Sequence, residues 1–151
     1  MDYINDTVAA VMLELEAVAG EEDFDETAEV MVERMKRAPD PSQFLEPVIL
    51  FIEENPDTEF GEPGALVHFA ESYYKNGYEE LLVKSIQRRP TRHSLWMLNR
   101  MINDLSNPDR DSYIALMRTA AGFSELNEEA RAEVAMYLTY IDIMNENRNS
   151  D

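Results

Sequence analysis

The stretch RRPTRHSLWMLNRMIN, residues 88–103, contains the clearest helix signature of the chain. Pro90 biases the residue before it toward extended backbone, and Thr91 then suits the N-cap of a helix that begins at Arg92. An apolar stripe follows at helical spacing and consists of Leu95, Leu98, Ile102 and Leu105. Trp96 flanks this stripe, and burial free energy concentrates in large aromatic side chains. The stretch therefore predicts a capped helix whose stripe and tryptophan belong to the hydrophobic core.

Helical periodicity continues through almost all of the 151-residue chain. The predicted helices lie around residues 4–18, 28–35, 41–54, 65–74, 78–87, 91–105, 109–122 and 127–145. Pro47 falls within the third of them and is expected to bend it. No segment alternates with a period of two, so no strand is predicted. The sequence predicts an all-α fold of about eight short helices, packed as a compact antiparallel helical array, HEAT-like in one form, or as an irregular bundle.

The segment NPDTEFGEPG, residues 55–64, is the clearest loop, because it contains two prolines and two glycines. It also follows the most acidic part of the chain. Phe60 is the aromatic residue of the loop and is expected to anchor it. We interpret the loop as a seam between two halves of one helical domain that spans residues 1–151.

Charge is distributed unevenly along the chain, whose formal net charge is -18. Residues 1–62 hold 18 acids and 3 bases, whereas residues 63–107 carry a net +2 and residues 108–151 a net -5. Such a negative field repels nucleic acid and anionic membranes, since both are polyanions. It attracts basic proteins and speeds their association. The charge therefore favours a basic protein partner and neither a nucleic acid nor a membrane; the open alternative is that it serves solubility alone.

The compartment is indicated by three features of the sequence. The chain has no cysteine, which fits a reducing compartment. Its first residues, MDYINDTVAAVMLELEAVAG, carry acids where a secretory signal would carry bases. No apolar run approaches the ~18 residues that a membrane span needs. We expect a soluble cytoplasmic protein.

Motifs that would indicate enzymatic chemistry do not occur in the sequence. His68 and His93 stand in neither an HxxxH nor an HExxH pattern. The acidic run EEDFDETAE, residues 21–29, is similar to a calcium loop but has Ala28 and Arg34 where that loop needs glycine and glutamate. No GxxxxGK, GxGxxG or GxSxG segment occurs. The sequence predicts no catalytic residue, no cofactor and no metal site, and His68 is expected to be a hydrogen-bonded core or loop-locking residue.

Two passages, NPDTEFGEPGALVHFAE at residues 55–71 and RRPTRHSLWMLNRMIN at residues 88–103, resemble hallmark segments of one protein family. These are small, acidic, helical immunity proteins of bacterial polymorphic-toxin systems, including contact-dependent growth inhibition. The resemblance covers about a fifth of the chain. It implies that the protein binds the C-terminal domain of a cognate toxin, encoded beside it, and neutralises that domain without being an enzyme. The shared segments are expected to mark the fold, and the resemblance assigns no toxin-contact residue because it offers no binding motif to match.

An acidic surface in the N-terminal half is the predicted toxin contact, because nuclease toxins act on a polyanion and are commonly basic. The predicted partner-binding residues are Glu14, Glu16, Glu21, Glu22, Asp23, Asp25, Glu26, Glu29 and Glu33. Four of these acids are spaced three or four residues apart, so we expect one helix face to carry Glu22, Glu26, Glu29 and Glu33.

Two alternatives remain open at the level of the sequence. An alternative contact surface combines the loop at residues 55–64 with Tyr73, Tyr74, Arg92 and His93, because tyrosine and arginine are favoured interface anchors. An alternative function is a helical scaffold or adaptor protein with no catalytic activity, which would present an apolar groove instead of a salt-sensitive acidic surface. An enzyme is a third class, for which the sequence offers no site.

Overall fold

The structure is a computed structural model that describes residues 7–149, and all the regular elements in this range are helical. The α-helices are α1 (Val8–Val18), α2 (Phe24–Lys36), α3 (Leu45–Glu54), α4 (Ala65–Glu71), α5 (Tyr78–Arg88), α6 (Arg92–Ile102), α7 (Arg110–Ala121) and α8 (Glu128–Asn149). A 3₁₀ helix, Pro41–Phe44, precedes α3. The prediction of an all-α fold is confirmed. Ile4, which the periodicity assigned to the first helix, lies outside the described residues. Within residues 7–149, no helix combines the length and the apolar character needed to cross a membrane.

The chain forms two compact units, Met1–Leu82 and Val83–Asp151, whose boundary falls within α5. The first holds 21 acids and 4 bases, a net charge of -17, and is called the acidic unit here. The second holds 10 acids and 9 bases, a net charge of -1, and is called the balanced unit. The loop at residues 55–64 lies inside the acidic unit. That the whole chain is one domain stays a prediction.

Three phenylalanines form an aromatic cluster in the acidic unit, where α1 packs on α2 and α3, and α4 packs on α2 and α3. Phe24 opens α2, Phe51 lies on α3, and Phe60 comes from the loop at residues 55–64. Their ring centroids are 5.8 to 6.0 Å apart, and each side chain is buried. Such offset and edge-to-face pairs stabilise a core beyond their buried area. The prediction that Phe60 anchors the loop is confirmed.

The loop at residues 55–64 is also held by its backbone. Gly64 has φ +85°, and a Cβ at this position would collide with the carbonyl oxygen of Phe60. Only glycine adopts this conformation and permits this approach without strain. Earlier in the loop, the Thr58 hydroxyl donates a 3.2 Å hydrogen bond to the carbonyl of Ala19, directly after α1. The loop therefore fixes the turn that joins α1 to α2, where several of the predicted contact acids lie.

The position of Pro47 differs from the prediction. The structure begins α3 at Leu45, after the 3₁₀ helix, so Pro47 is the third residue of α3 and does not lie in a helix interior. The N–H groups of a first turn have no intrahelical acceptor, so a proline there removes no hydrogen bond. The α-helix therefore begins later than its apolar pattern, and the expected bend at Pro47 stays a prediction.

The balanced unit is built from α6, α7 and α8, which pack on one another. Thr91 caps α6: its hydroxyl accepts the N–H of Ser94 at 3.1 Å, and the Ser94 hydroxyl accepts the N–H of Thr91 at 3.0 Å. This reciprocal capping box satisfies two donors that would otherwise lack partners. The predicted cap at Thr91 is confirmed.

Two members of the predicted core of α6 lie at the surface. Trp96 is half-buried, and the guanidinium of Arg100 lies 5.1 Å from the centroid of its ring system. Leu105 is 49% exposed and follows the end of α6 at Ile102. Leu95, Leu98 and Ile102 are buried as predicted, and Trp96 projects from the opposite side of the helix. The tryptophan is therefore not a core residue, and its position is stabilised by a cation–π contact.

Candidate functional site

All nine predicted contact acids lie exposed on the acidic unit. Three successive elements carry them: α1 holds Glu14 and Glu16, the following turn holds Glu21, Glu22 and Asp23, and α2 holds Asp25, Glu26, Glu29 and Glu33. Only Glu14 and Glu33 among the nine form an ion pair with a described residue. Among the residues that the structure describes, no cation forms an ion pair with the other seven carboxylates of this set.

One side of α2 concentrates four of these carboxylates. At ~100° per residue, Asp25, Glu26, Glu29 and Glu33 fall within an arc of about 100°, and we call this arc the acidic face. The opposite side of α2 is buried and begins with Phe24 of the aromatic cluster. Because that phenylalanine fixes the first turn, the acidic face is held in a defined orientation within its unit.

The predicted helix face of four glutamates is only partly correct. Glu26, Glu29 and Glu33 share the acidic face, but α2 begins at Phe24 with Asp23 at its N-cap position. Glu22 therefore lies in the turn before α2 and not on the helix. The spacing of three and four residues extends N-terminally to Glu22, but the helix begins only at the buried Phe24.

Glu14 and Glu16 on α1 do not lie side by side next to the acidic face. Two residues apart on α1, their side chains project ~200° apart around the helix axis. Glu14 accepts a 2.5 Å hydrogen bond from the guanidinium of Arg34 on α2, so its charge already has a partner. Glu14 therefore joins α1 to α2, and the acidic face and the turn before it supply most of the unpaired negative charge.

A cavity of about 470 Å³ adjoins the acidic face, between α2 and α4. Its lining residues are Glu29, Val32, Glu33 and Lys36 from α2, Ala65, His68 and Phe69 from α4, and Ser72 directly after α4. The Lys36 ammonium lies 3.5 Å from Glu33 Oε1, and both side chains are more than half exposed. We call this space the acid-lined cavity; it joins two carboxylates to an apolar wall.

His68 is part of this cavity and not part of the core, which corrects our expectation. The residue is exposed, whereas Leu66, Val67, Phe69 and Ala70 around it are buried. On a helix these four positions share one side and leave His68 on the other. Plotting the run LVHFA as a helix, and not as a continuous apolar segment, is the signal that would have found it.

The alternative contact surface is divided between the two units. Tyr73 lies in the acidic unit and packs edge-on against Phe69, with ring centroids 5.5 Å apart. Burial, and then the charge of Asp40, raises the pKa of its hydroxyl. Arg92 lies in the balanced unit and already binds two carboxylates, Glu133 at 3.0 Å and Glu129 at 3.4 Å. Because its guanidinium is committed to α8, Arg92 is less available as an anchor than the sequence suggested.

An apolar groove of about 490 Å³ lies in the balanced unit and was not predicted. Its walls include Leu105, Met136 and Tyr140, which are 49%, 68% and 57% exposed. Tyr137 also lines it; burial and then the charge of Glu133 raise the pKa of its hydroxyl, against an opposing effect of Arg92. The groove has few charged walls and differs in chemistry from the acid-lined cavity.

Comparisons with known proteins returned no relative of this chain. No family model matches the sequence, and neither a curated protein nor a solved structure is significantly similar to it.

Proposed function

We propose that the protein is an immunity protein that binds a cognate bacterial toxin domain, of a basic nuclease type, and neutralises it in the cytoplasm. The observation that carries the proposal is the acidic face of α2 with the turn before it. There, all the carboxylates are exposed, and only Glu33 forms an ion pair with a described residue, Lys36. The resemblance of residues 55–71 and 88–103 to immunity-protein segments supports the same conclusion.

The chemistry of the partner follows from the charge of the acidic unit. A net charge of -17 in 82 residues attracts a protein whose surface is basic because it binds a polyanion. Complementary charge mainly raises the association rate and fixes the register of binding. Like charges one helical turn apart on α2 destabilise the free helix by a few tenths of a kcal/mol per pair. Cations of a bound partner would relieve that repulsion.

The proposal is tested by rescue of growth. The C-terminal domain of the protein encoded beside this chain would be expressed from an inducible promoter, with and without the chain, and colony counts compared. We expect expression of the domain to stop growth and co-expression to restore it. If the domain is toxic and the chain gives no protection, the immunity proposal is wrong.

A charge-reversal set locates the contact. The triple variant Glu22→Lys, Glu26→Lys and Glu29→Lys should slow association with the toxin domain and reduce its salt dependence. Its matched control reverses three exposed acids of the balanced unit, Glu125, Glu128 and Glu146, to lysine. Both variants change the net charge equally, so a loss confined to the first set assigns the contact to the acidic unit. Equal losses would show that only the total charge matters.

The apolar groove favours a second candidate function, a helical scaffold or adaptor that binds an apolar segment of another protein. The two candidates differ in their response to salt. Capture through the groove should persist from ~50 to ~500 mM salt, whereas association through the acidic face should weaken strongly over that span. A partner retained at high salt and lost in a Met136→Glu variant would favour the scaffold function.

A further inference from the structure

The acid-lined cavity differs from the rest of the acidic face because two carboxylates and several apolar side chains line one space there. Glu29 and Glu33 stand one turn apart on α2, so their carboxylates can converge on one cation. Val32, Ala65 and Phe69 supply apolar atoms to the same lining. This arrangement fits a ligand with a cationic head and an apolar stem, which is the chemistry of a long basic side chain.

We propose that the acid-lined cavity receives an arginine side chain of the toxin domain, whose guanidinium binds Glu29 and Glu33 while its methylene stem packs on Val32 and Phe69. This inference rests on the proposed function. Arginine is favoured over lysine because its planar guanidinium presents several donors at once and is more weakly hydrated than an ammonium. An anchored arginine in a pocket is also the type of residue that dominates interface energies.

Two other groups on the cavity wall can carry positive charge, Lys36 and His68. Lys36 is the direct competitor, because its ammonium lies 3.5 Å from Glu33. Both side chains of that pair are more than half exposed, so the pair contributes little and is displaced easily. Glu29 forms no ion pair with a described residue and is therefore the primary acceptor for the incoming guanidinium.

The test uses the whole protein and a small probe, so it does not depend on finding the toxin. Nα-acetyl-arginine methylamide would be titrated into isotopically labelled protein, and backbone amide shifts followed by NMR. The matched probe is the citrulline analogue, which has nearly the same shape and no charge. We expect saturable shifts at residues 29–36 and 65–72 with the arginine probe, in the millimolar range, and none with citrulline. Shifts scattered over all exposed acids would overturn the proposal.

Three variants sharpen the assignment, and one of them predicts a gain. Glu29→Gln should weaken binding of the arginine probe roughly threefold to fivefold, the effect of one partly exposed ion pair. Lys36→Gln removes the competitor and should strengthen binding by about the same factor, a result that misfolding cannot produce. Glu54→Gln, at the end of α3, changes the net charge as Glu29→Gln does but involves an exposed acid of the same unit that does not line the cavity, so it should leave the affinity unchanged. Equal losses in Glu54→Gln and Glu29→Gln would show a diffuse charge effect and refute the pocket.

The pocket and the immunity function fail in different ways. If the arginine probe binds as described but the chain gives no protection from the neighbouring toxin domain, the pocket stands and the proposed function falls. If protection is complete and unchanged in a Glu29→Gln and Glu33→Gln double variant, and the probe does not bind, the pocket is refuted and the function stands.

Discussion

The acidic unit and the balanced unit use charge in opposite ways. In the balanced unit there are 9 bases and 10 acids, and four guanidinium groups donate hydrogen bonds to protein oxygen atoms, those of Arg92, Arg110, Arg118 and Arg131. Arg110 is buried and donates to the carbonyl of Ile102 at 2.8 Å, which closes the C-terminal end of α6. Arg131 donates to four carbonyls at 2.9 to 3.4 Å, one on the last residue of α7 and three in the loop between α7 and α8. Charge here is part of the internal framework.

In the acidic unit the 21 acids far outnumber the 4 bases, so most carboxylates have no base of the same unit to pair with. The aromatic cluster holds the loop and α2 together. Charge imbalance is therefore confined to one unit, and it is compatible with folding because apolar contacts stabilise that unit. In the balanced unit the chain's own bases neutralise the carboxylates, whereas in the acidic unit a positively charged partner would supply the cations.

The largest expected effect comes from removing the apolar anchor of the acidic unit. Phe60→Ala should lower the free energy of unfolding by about 3–5 kcal/mol, because it deletes a buried ring that contacts both Phe24 and Phe51. Urea denaturation followed by circular dichroism measures the change. Phe60→Leu keeps much of the volume and should cost clearly less. A loss below about 1 kcal/mol for Phe60→Ala would mean that the aromatic cluster does not hold this unit together.

A second prediction addresses the internal use of charge in the balanced unit. Arg110→Met keeps the apolar stem but removes the donor to Ile102 and to Asn145 Oδ1, which is 3.3 Å away. We expect a loss of about 2 kcal/mol, since hydrogen bonds to a buried charged group are among the stronger ones. The control is Arg118→Met, whose side chain is 48% exposed and pairs with Asp142; it should cost less than about 1 kcal/mol. Equal losses in the urea midpoint would show that burial of Arg110 adds nothing to its role.

The elements of the fold could be predicted from sequence because their signals are local. A cap at Thr91 needs only a hydroxyl before a helical pattern and a free N–H three residues on. An anchor at Phe60 needs only one aromatic residue in a turn-rich loop. Glu22 marks the limit of such reasoning, because spacing alone does not show where a buried residue begins the helix.

Which helix faces are covered could not be predicted, because that depends on partners far away in sequence. In α8, Met136, Tyr140 and Ile143 share one side of the helix and are all more than half exposed. Trp96 shows the same limit in α6. Apolar periodicity identifies a helix, but it does not reveal whether another element packs on each apolar side.

The negative charge of the candidate site could be predicted from the sequence, but the acid-lined cavity beside it could not. The exposure of the contact acids could be predicted from their residue type alone, since unpaired carboxylates are rarely buried. The acid-lined cavity instead requires that residues 29–36 of α2 meet residues 65–72 of α4 and beyond. No spacing within either segment indicates that meeting.

The smallest expected effect tests most directly whether the two units use charge differently. A Glu→Gln substitution should raise the free energy of unfolding in the acidic unit and lower it in the balanced unit. Glu29→Gln removes a charge that lies one turn from both Glu26 and Glu33. We expect the acidic unit to gain a few tenths of a kcal/mol, as for other like-charge pairs on a helix. Glu29 lies beyond the first turn of α2, so its loss leaves the favourable interaction of acids with the helix N-terminus in place. Glu133→Gln in the balanced unit breaks the pair with Arg92 and should cost about 0.5–1 kcal/mol.

Both changes remove one negative charge by the same chemical substitution, so a difference in sign between them reports local surroundings and not net charge. Thermal unfolding at low salt, repeated at ~0.5 M salt, measures both variants under two degrees of screening. The gain at Glu29 should fade at high salt, because exposed repulsion is screened. The loss at Glu133 should persist in part, because its two hydrogen bonds to Arg92 Nε, at 3.0 and 3.1 Å, depend on geometry as well as on charge. If Glu29→Gln also destabilised the protein, the Glu29 carboxylate would have a structural role of its own. The carboxylates of the acidic face could then not be explained by partner binding alone.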